Sequence, residues 1–324
     1  MKACIYGAGA IGGWIGARLA NAGCDVSVVA RGAALEAIAR DGLVLEGPQE
    51  RIAARVAASA SPADLGPQDL VVIAVKAPSM VEVASAIAPL LKPDTIVLTA
   101  MNGVPWWFFE GFGGRFAGTR LKTVDTDGRI ARAIPARHIV GCVVHASCSV
   151  PAPGRVKNHF GNKLIVGEPA GGASERLTEL AALLTRAGYE VEGSPQIQRD
   201  AWYKLWGNMT VNPVSAMTGA PADKVMDDPL VRAFISSVML EAREIGSRIG
   251  IPIDQDPEDR HTVTRKLGSF KPSMLQDVEA GKPVELDALV TVVKELGELT
   301  QTPTPFTDAL LGLSRLFFRE RGLY

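Results

Sequence analysis

Gly7-Ala8-Gly9-Ala10-Ile11-Gly12 follows a short apolar run, Ala3 to Tyr6, and opens a helical pattern. In such a G-x-G-x-x-G the first glycine permits a tight turn and the second lets backbone approach a pyrophosphate. The third lets the helix pack close on the strand. The helix start then offers unpaired N–H groups and a positive dipole end to the phosphates. With 33 glycines among 324 residues the pattern alone is cheap. Its place at the head of a strand-helix-strand series is what points to a dinucleotide, against a purely structural turn. At the end of the next strand a carboxylate would hold a ribose hydroxyl, but the chain has Ala30-Arg31-Gly32. A guanidinium there accommodates a 2′-phosphate, so NADP(H) is favoured over NAD(H); the alternative is a solvated arginine.

Two further groups lie where ligands dock in open α/β sheets, beyond the carboxyl ends of strands. Lys76 ends the run Leu70 to Val75, and Asn102 follows Thr95 to Thr99 in Met101-Asn102-Gly103, where Asn-Gly is equally an ordinary turn. Later, Lys204, Asn208 and Asn212 recur at steps of four and form one polar stripe on a helix. Trp202, Leu205, Trp206 and Met209 make its apolar side, and Pro213 is expected to kink or end the helix near Asn212. A lysine among tryptophans between neutral amides fits a buried polar site, or else it snorkels to the surface. Ser273-Met274-Leu275-Gln276 reads as a capping box, and a serine-capped helix start is also a carboxylate site. Glu285 and Asp287 fall at the start of the next helix, where acids favour the dipole. The histidines show no metal-ligand spacing, and no Ser/His/Asp arrangement is recognisable.

The elements that must position these groups divide the chain. Strands Ala3–Tyr6, Asp25–Ala30, Leu70–Val75 and Thr95–Thr99 alternate with helices Ile11–Ala22 and Met80–Leu91. Unbroken Val/Ile runs mark strands covered on both faces, the pattern of a parallel doubly wound sheet. Shorter strands follow over Ile139–Val144, Cys148–Val150, Arg155–Asn158 and Leu164–Val166, then helix Glu175–Ala187 and strand Tyr189–Glu192. Beyond Ser194 the patterns are helical: Gln198–Met209, Leu230–Ile249, Met274–Ala280, Leu286–Thr300 and Phe306–Arg319. The expected division is an α/β Rossmann-like domain over 1–194 and an all-α domain over 195–324. Segment 105–137, rich in Gly and Arg and opening with Trp106-Trp107-Phe108-Phe109, is out of pattern.

Composition narrows the classes. Hydrophobic residues make up 47% and can fill a core, and the net charge of -1 supplies no basic excess for nucleic acid. No apolar run is long enough for a membrane span, and the strand at Met1 to Tyr6 leaves no place for a signal peptide. Cys4, Cys24, Cys142 and Cys148 form no C-x-x-C, which suits free thiols in the cytoplasm.

The whole chain resembles the ketopantoate reductase (2-dehydropantoate 2-reductase) family. The resemblance rests on the glycine motif, Val75-Lys76-Ala77, Asn102-Gly103, Trp202-Tyr203-Lys204-Leu205 with Asn208 and Val211-Asn212-Pro213, and Pro272-Ser273-Met274-Leu275-Gln276-Asp277 ahead of Glu285-Leu286-Asp287. It implies a Rossmann-like sheet with a helical domain like that of 6-phosphogluconate dehydrogenase. It also implies NADPH-dependent reduction of a 2-keto acid to a 2-hydroxy acid, namely 2-dehydropantoate to pantoate in pantothenate biosynthesis. On this resemblance Lys204 is the general acid and Glu285 its acidic partner, touching substrate or cofactor. Asn102 holds substrate and nicotinamide, Lys76 lies on the cofactor, and Asn208, Asn212 and Ser273 grip the substrate. The chemistry is consistent, since hydride arriving at a ketone carbon charges the oxygen, which an ammonium stabilises and protonates. Segment 105–137 departs from the family's usual connection. It is expected to be a lid, an arm against a second subunit of a homodimer, or an insertion packed on its own domain. Alternatives to this reading are a reductase of another 2-keto acid, a 3-hydroxyacid or 6-phosphogluconate-type dehydrogenase, and a non-catalytic NADP(H)-binding regulator.

Overall fold

The computed structural model describes every residue except Gln49 and Leu267. The first half folds as β1 (Lys2–Tyr6), α1 (Ala10–Asn21), β2 (Asp25–Val29), α2 (Gly32–Asp41), β3 (Leu43–Glu46), β4 (Arg51–Ala54) and β5 (Ala57–Ser59). It continues with β6 (Leu70–Ile73), α3 (Met80–Ala86), β7 (Ile96–Thr99), α4 (Arg129–Ala133), β8 (Ile139–Ala152), β9 (Arg155–Gly167), α5 (Glu175–Arg186) and β10 (Glu190–Gly193). Among the described residues these strands form one ten-stranded sheet, ordered β4-β3-β9-β8-β7-β6-β1-β2-β5, with β10 against β9. β5, β2, β1, β6, β7 and β8 run parallel. The residues of β6 and β7 are buried throughout, as their unbroken apolar runs require.

Two local expectations are corrected here. The four short strands expected after Ile139 are two long ones, because antiparallel pairing of β8 with β9 continues through bulges around Ala146 and Val150. The helix expected over Met80–Leu91 stops at Ala86, and Pro89 sits in a 3₁₀ turn, Ala88–Leu90.

The second half is helical: α6 (Ile197–Thr218), α7 (Ala222–Asp227), α8 (Pro229–Arg248), α9 (Pro257–Arg265) and α10 (Ser273–Glu279). A π turn, Asp287–Thr291, leads into α11 (Val292–Thr300), and α12 (Pro305–Arg319) follows. Of the two outcomes expected at Pro213, a kink or an end, the end does not occur, for the helix runs five residues further to Thr218. The proline removes one backbone donor, but Asn212, Pro213 and Val214 are all buried, so packing holds the helix through it.

The chain groups into two compact units. The first comprises Met1–Met101, Glu110–Phe112 and Asp127–Asp200; the second comprises Asn102–Phe109, Gly113–Thr126 and Ala201–Tyr324. The stretch after β7, attached by sequence to the first domain, is therefore largely part of the helical unit. Its opening aromatics explain why. Trp107, Phe108 and Phe109 are at most 3% exposed, and the Phe108 ring lies 6.2 Å from that of Trp202 on α6. The Glu295 carboxylate of α11 accepts from the Lys122 and Thr123 backbone N–H groups at 2.6 and 2.8 Å. The aromatic start of the segment is buried core rather than exposed surface. No helix among the described residues is long and apolar enough to cross a membrane.

Candidate active site

In the first unit the glycine motif turns the chain from β1 into α1. Gly7 has φ +99°, open only to a residue without a Cβ at little cost. A Cβ on Gly12 would stand 2.0 Å from the Gly7 carbonyl oxygen, so the third glycine is demanded by the turn itself. Gly9 caps α1 without any side-chain hydrogen bond, and the space where its Cβ would be is open. The first-turn N–H groups thus carry no side-chain cap, and nothing screens the backbone at Gly9. That is the shape and polarity a pyrophosphate needs, so the residues fit a dinucleotide.

Arg31 lies two residues beyond β2 and caps α2, and its exposed guanidinium pairs with the Glu82 carboxylate of α3. Tyr6 lies beside them; burial, and then the Glu82 charge, raise its hydroxyl pKa. Lys76 is half-buried and caps the 3₁₀ turn Ala77–Ser79 after β6.

In the second unit Lys204 and Asn102, 102 positions apart in sequence, meet: Lys204 Nζ donates to Asn102 Oδ1 at 2.9 Å. Sequence reasoning missed what holds the asparagine there. Gly103 has φ +83°, and a Cβ on it would be 2.4 Å from the Ala288 carbonyl oxygen. The next residue, Val104, donates its N–H to that same carbonyl at 2.9 Å. Ala288 belongs to the π turn, and its carbonyl oxygen, with two lone pairs, can accept from another segment. The only signal in the sequence was the Asn-Gly dipeptide, which read equally as a turn.

Asn208 and Asn212 continue the Lys204 face because α6 is unbroken; Asn212 is buried and Asn208 half-buried. Neither amide has a hydrogen-bond partner among the described residues, so both are available to a ligand. Glu285 is half-buried just ahead of the π turn. Its neighbours on both sides are tied to the chain's last residues: Val284 N donates to Leu323 O at 3.0 Å, and Tyr324 Oη donates to Asp287 Oδ1 at 2.7 Å.

Ser273 departs from expectation. It is the first residue of α10 rather than its cap, Pro272 takes the cap position, and no side-chain cap bond forms. Gln276 donates instead to the Lys271 carbonyl at 2.8 Å. Proline before a helix fixes the entry geometry and leaves the serine hydroxyl exposed.

A dinucleotide cradle on a parallel sheet and a lysine-amide stripe on a helical unit define a nicotinamide-dependent oxidoreductase. Comparison with known proteins specifies it further. The profile of ketopantoate reductase PanE/ApbA matches residues 3–171, and that of its C-terminal part matches 196–317. The chain belongs to the ketopantoate reductase family, NAD(P)H-dependent oxidoreductases acting on CH–OH. It is 45% identical over 325 residues, the full length of both chains, to the 2-dehydropantoate 2-reductase of Mesorhizobium japonicum. A crystal structure from Ralstonia solanacearum MolK2, provisionally named a ketopantoate reductase, shares 55% identity over 99% of both chains with a TM-score of 0.95. The 2-dehydropantoate 2-reductase of Geobacter metallireducens GS-15 shares 26% identity over 98% of this chain and 99% of its own, with a TM-score of 0.86.

Proposed function

We propose that this chain reduces 2-dehydropantoate to pantoate with NADPH, in the cytoplasm. The observation that carries the reading is the Lys204–Asn102 hydrogen bond at 2.9 Å on a face that continues into Asn208 and Asn212. An ammonium donating to a neutral amide is held in a fixed direction, as a general acid requires.

When bound, NADPH supplies the hydride that reduces the ketone carbon. The glycine backbone at Gly7, Gly9 and Gly12 and the α1 N–H groups hold the pyrophosphate, with Ala8, Ala10 and Ile11 shaping the turn. Arg31 would take the 2′-phosphate, and Lys76 would lie along the cofactor. Lys204 donates its proton to the ketone oxygen as charge develops there, which is typically worth ~10²–10⁴-fold. Asn102 orients Lys204 and the substrate. Asn208, Asn212 and Ser273 hold the substrate's oxygens, and Glu285 supports the lysine or a substrate hydroxyl. A homodimer belongs to the same reading. A Staphylococcus aureus ketopantoate reductase of similar fold is described as dimeric, and α12 exposes Phe306, Leu313 and Leu316.

Loss of NADPH absorbance across a panel of 2-keto acids, ketopantoate first, tests the activity. Lys204→Ala is expected to lower kcat by about 10²–10⁴-fold; near-normal turnover in that variant defeats the mechanism.

A further inference from the structure

A 2-keto acid carries two oxygen-bearing groups on adjacent carbons, and an ammonium that gives its proton to the ketone oxygen no longer balances the carboxylate's charge. The exposed Ser273 at an uncapped, two-turn helix brings no cation to the second. Within the helical unit, another cation lies against the helix that carries Lys204. The Arg260 side chain of α9 lies on α6 at Gly207. An ideal Cβ there would be 3.0 Å from Nε, 3.1 Å from Nη2 and 3.4 Å from Cζ, so the guanidinium rests on the space a side chain would fill. Its Cζ is 5.2 Å from the centre of the Tyr203 ring.

The acids nearest in sequence are engaged elsewhere: Asp256 and Asp259 cap α9, Asp256 also pairs with Arg243, and Glu258 pairs with Arg232. The Arg260 guanidinium forms no ion pair or hydrogen bond among the described residues, and its buried Nε has no acceptor. Gly207 is three residues past Lys204, about 4.5 Å along the helix axis and about 60° around it, and adjoins Asn208. A planar fork lodged against ring and backbone, one turn from the proton donor, suits bidentate capture of a carboxylate.

We infer that Arg260, seated on Gly207, binds the substrate's carboxylate while Lys204 takes the ketone oxygen. This rests on the reductase reading above and adds the residue that selects an acid over a neutral ketone. The test compares a 2-keto acid with its methyl ester, using full-length enzyme and NADPH. Arg260→Ala is expected to raise KM for the acid by about 10–100-fold with a smaller change in kcat. Turnover of the ester should change less than about threefold, so the preference for acid over ester collapses. Arg260→Lys should restore part of that preference, and Gly207→Ala, which intrudes on the guanidinium, should erode it with Arg260 intact. These two variants decide the matter if Arg260→Ala melts at assay temperature.

An acid-to-ester preference unchanged in all three variants, or an equal fall for both substrates, overturns the inference and points to a packing role. NADPH affinity measured alongside should be unaltered. A wild-type enzyme inert toward every 2-keto acid instead overturns the reductase reading, and this inference with it.

Discussion

Around Gly7 to Gly12 the first unit works by what its residues lack, whereas along α6 the second works by what its side chains reach. The glycine turn is local. Its Cβ conflict lies between Gly12 and Gly7, five residues apart, and the parallel ladder of β1 with β2 and β6 fixes its surroundings. The lysine site is assembled from distant segments: α6 gives Lys204, the loop after β7 gives Asn102, and the π turn gives the carbonyl that anchors that loop. A locally encoded site tolerates change elsewhere but not within its motif. A site assembled at long range can fail through residues that touch no ligand.

The sharpest way to break this contrast is Gly12→Ala. The new methyl would sit 2.0 Å from the Gly7 oxygen, so the turn must open. The expected cost is about 2–4 kcal/mol of stability, together with loss of measurable NADPH binding by fluorescence titration. Retained affinity would mean the third glycine is dispensable here.

Gly103→Ala is the counterpart in the second unit and should behave differently. A φ of +83° and a Cβ 2.4 Å from the Ala288 oxygen force the Asn102 loop off its anchor. Misplacing a positioning group by about 1 Å costs on the order of 10²-fold in rate. We therefore expect kcat/KM to fall about 10–100-fold while NADPH affinity stays within about twofold of wild type. If cofactor binding falls as much as turnover, the division of labour described above is wrong.

The same contrast governs what was legible in the sequence. The glycine turn, the parallel strands and the Lys204-Asn208-Asn212 stripe follow from short-range periodicity and could be read directly. Three things were not legible. Pro213 read as a kink or an end of the helix because its local penalty is visible in sequence, while the burial that carries the helix through it is not. The π turn carries no composition signal, and without it the anchoring of Val104 on Ala288 cannot be foreseen. The aromatic run from Trp106 to Phe109 announced burial, but not which unit would bury it.

Arg31 offers a smaller and sharper test in the first unit. In its exposed pairing with Glu82, that carboxylate competes with a 2′-phosphate for the guanidinium. Arg31→Ala should raise KM for NADPH about tenfold or more and leave NADH nearly unchanged, since only the former carries the extra phosphate. Glu82→Gln should favour NADPH by a few-fold at most, because exposed pairs contribute roughly 0–1 kcal/mol. Equal efficiency with both cofactors in the unaltered enzyme would remove the role given to Arg31.

Acid should expose the smallest difference, in the order in which the two units weaken. In the second, buried His261 of α9 shares a 2.8 Å hydrogen bond with Ser236 of α8, and burial lowers its pKa from the ordinary 6.5. The unfolded chain therefore binds the proton more readily than the folded one. Stability contributed by the neutral ring is full above pH 6.5 and declines as pH falls below it. In the first unit, burial pushes Glu168 upward, but hydrogen bonds from Arg176 and Ser174 outweigh it and leave the pKa below the ordinary 4.5. Its contribution is complete above pH 4.5 and is lost only as pH falls through the lowered value. Between pH 6.5 and 4.5, hydrogen exchange should thus quicken at the α8–α9 contact before the β9–α5 region responds. His261→Gln should flatten the early phase and Glu168→Gln the late one. A loss of protection that starts around Glu168 at pH 6 would reverse the order argued here.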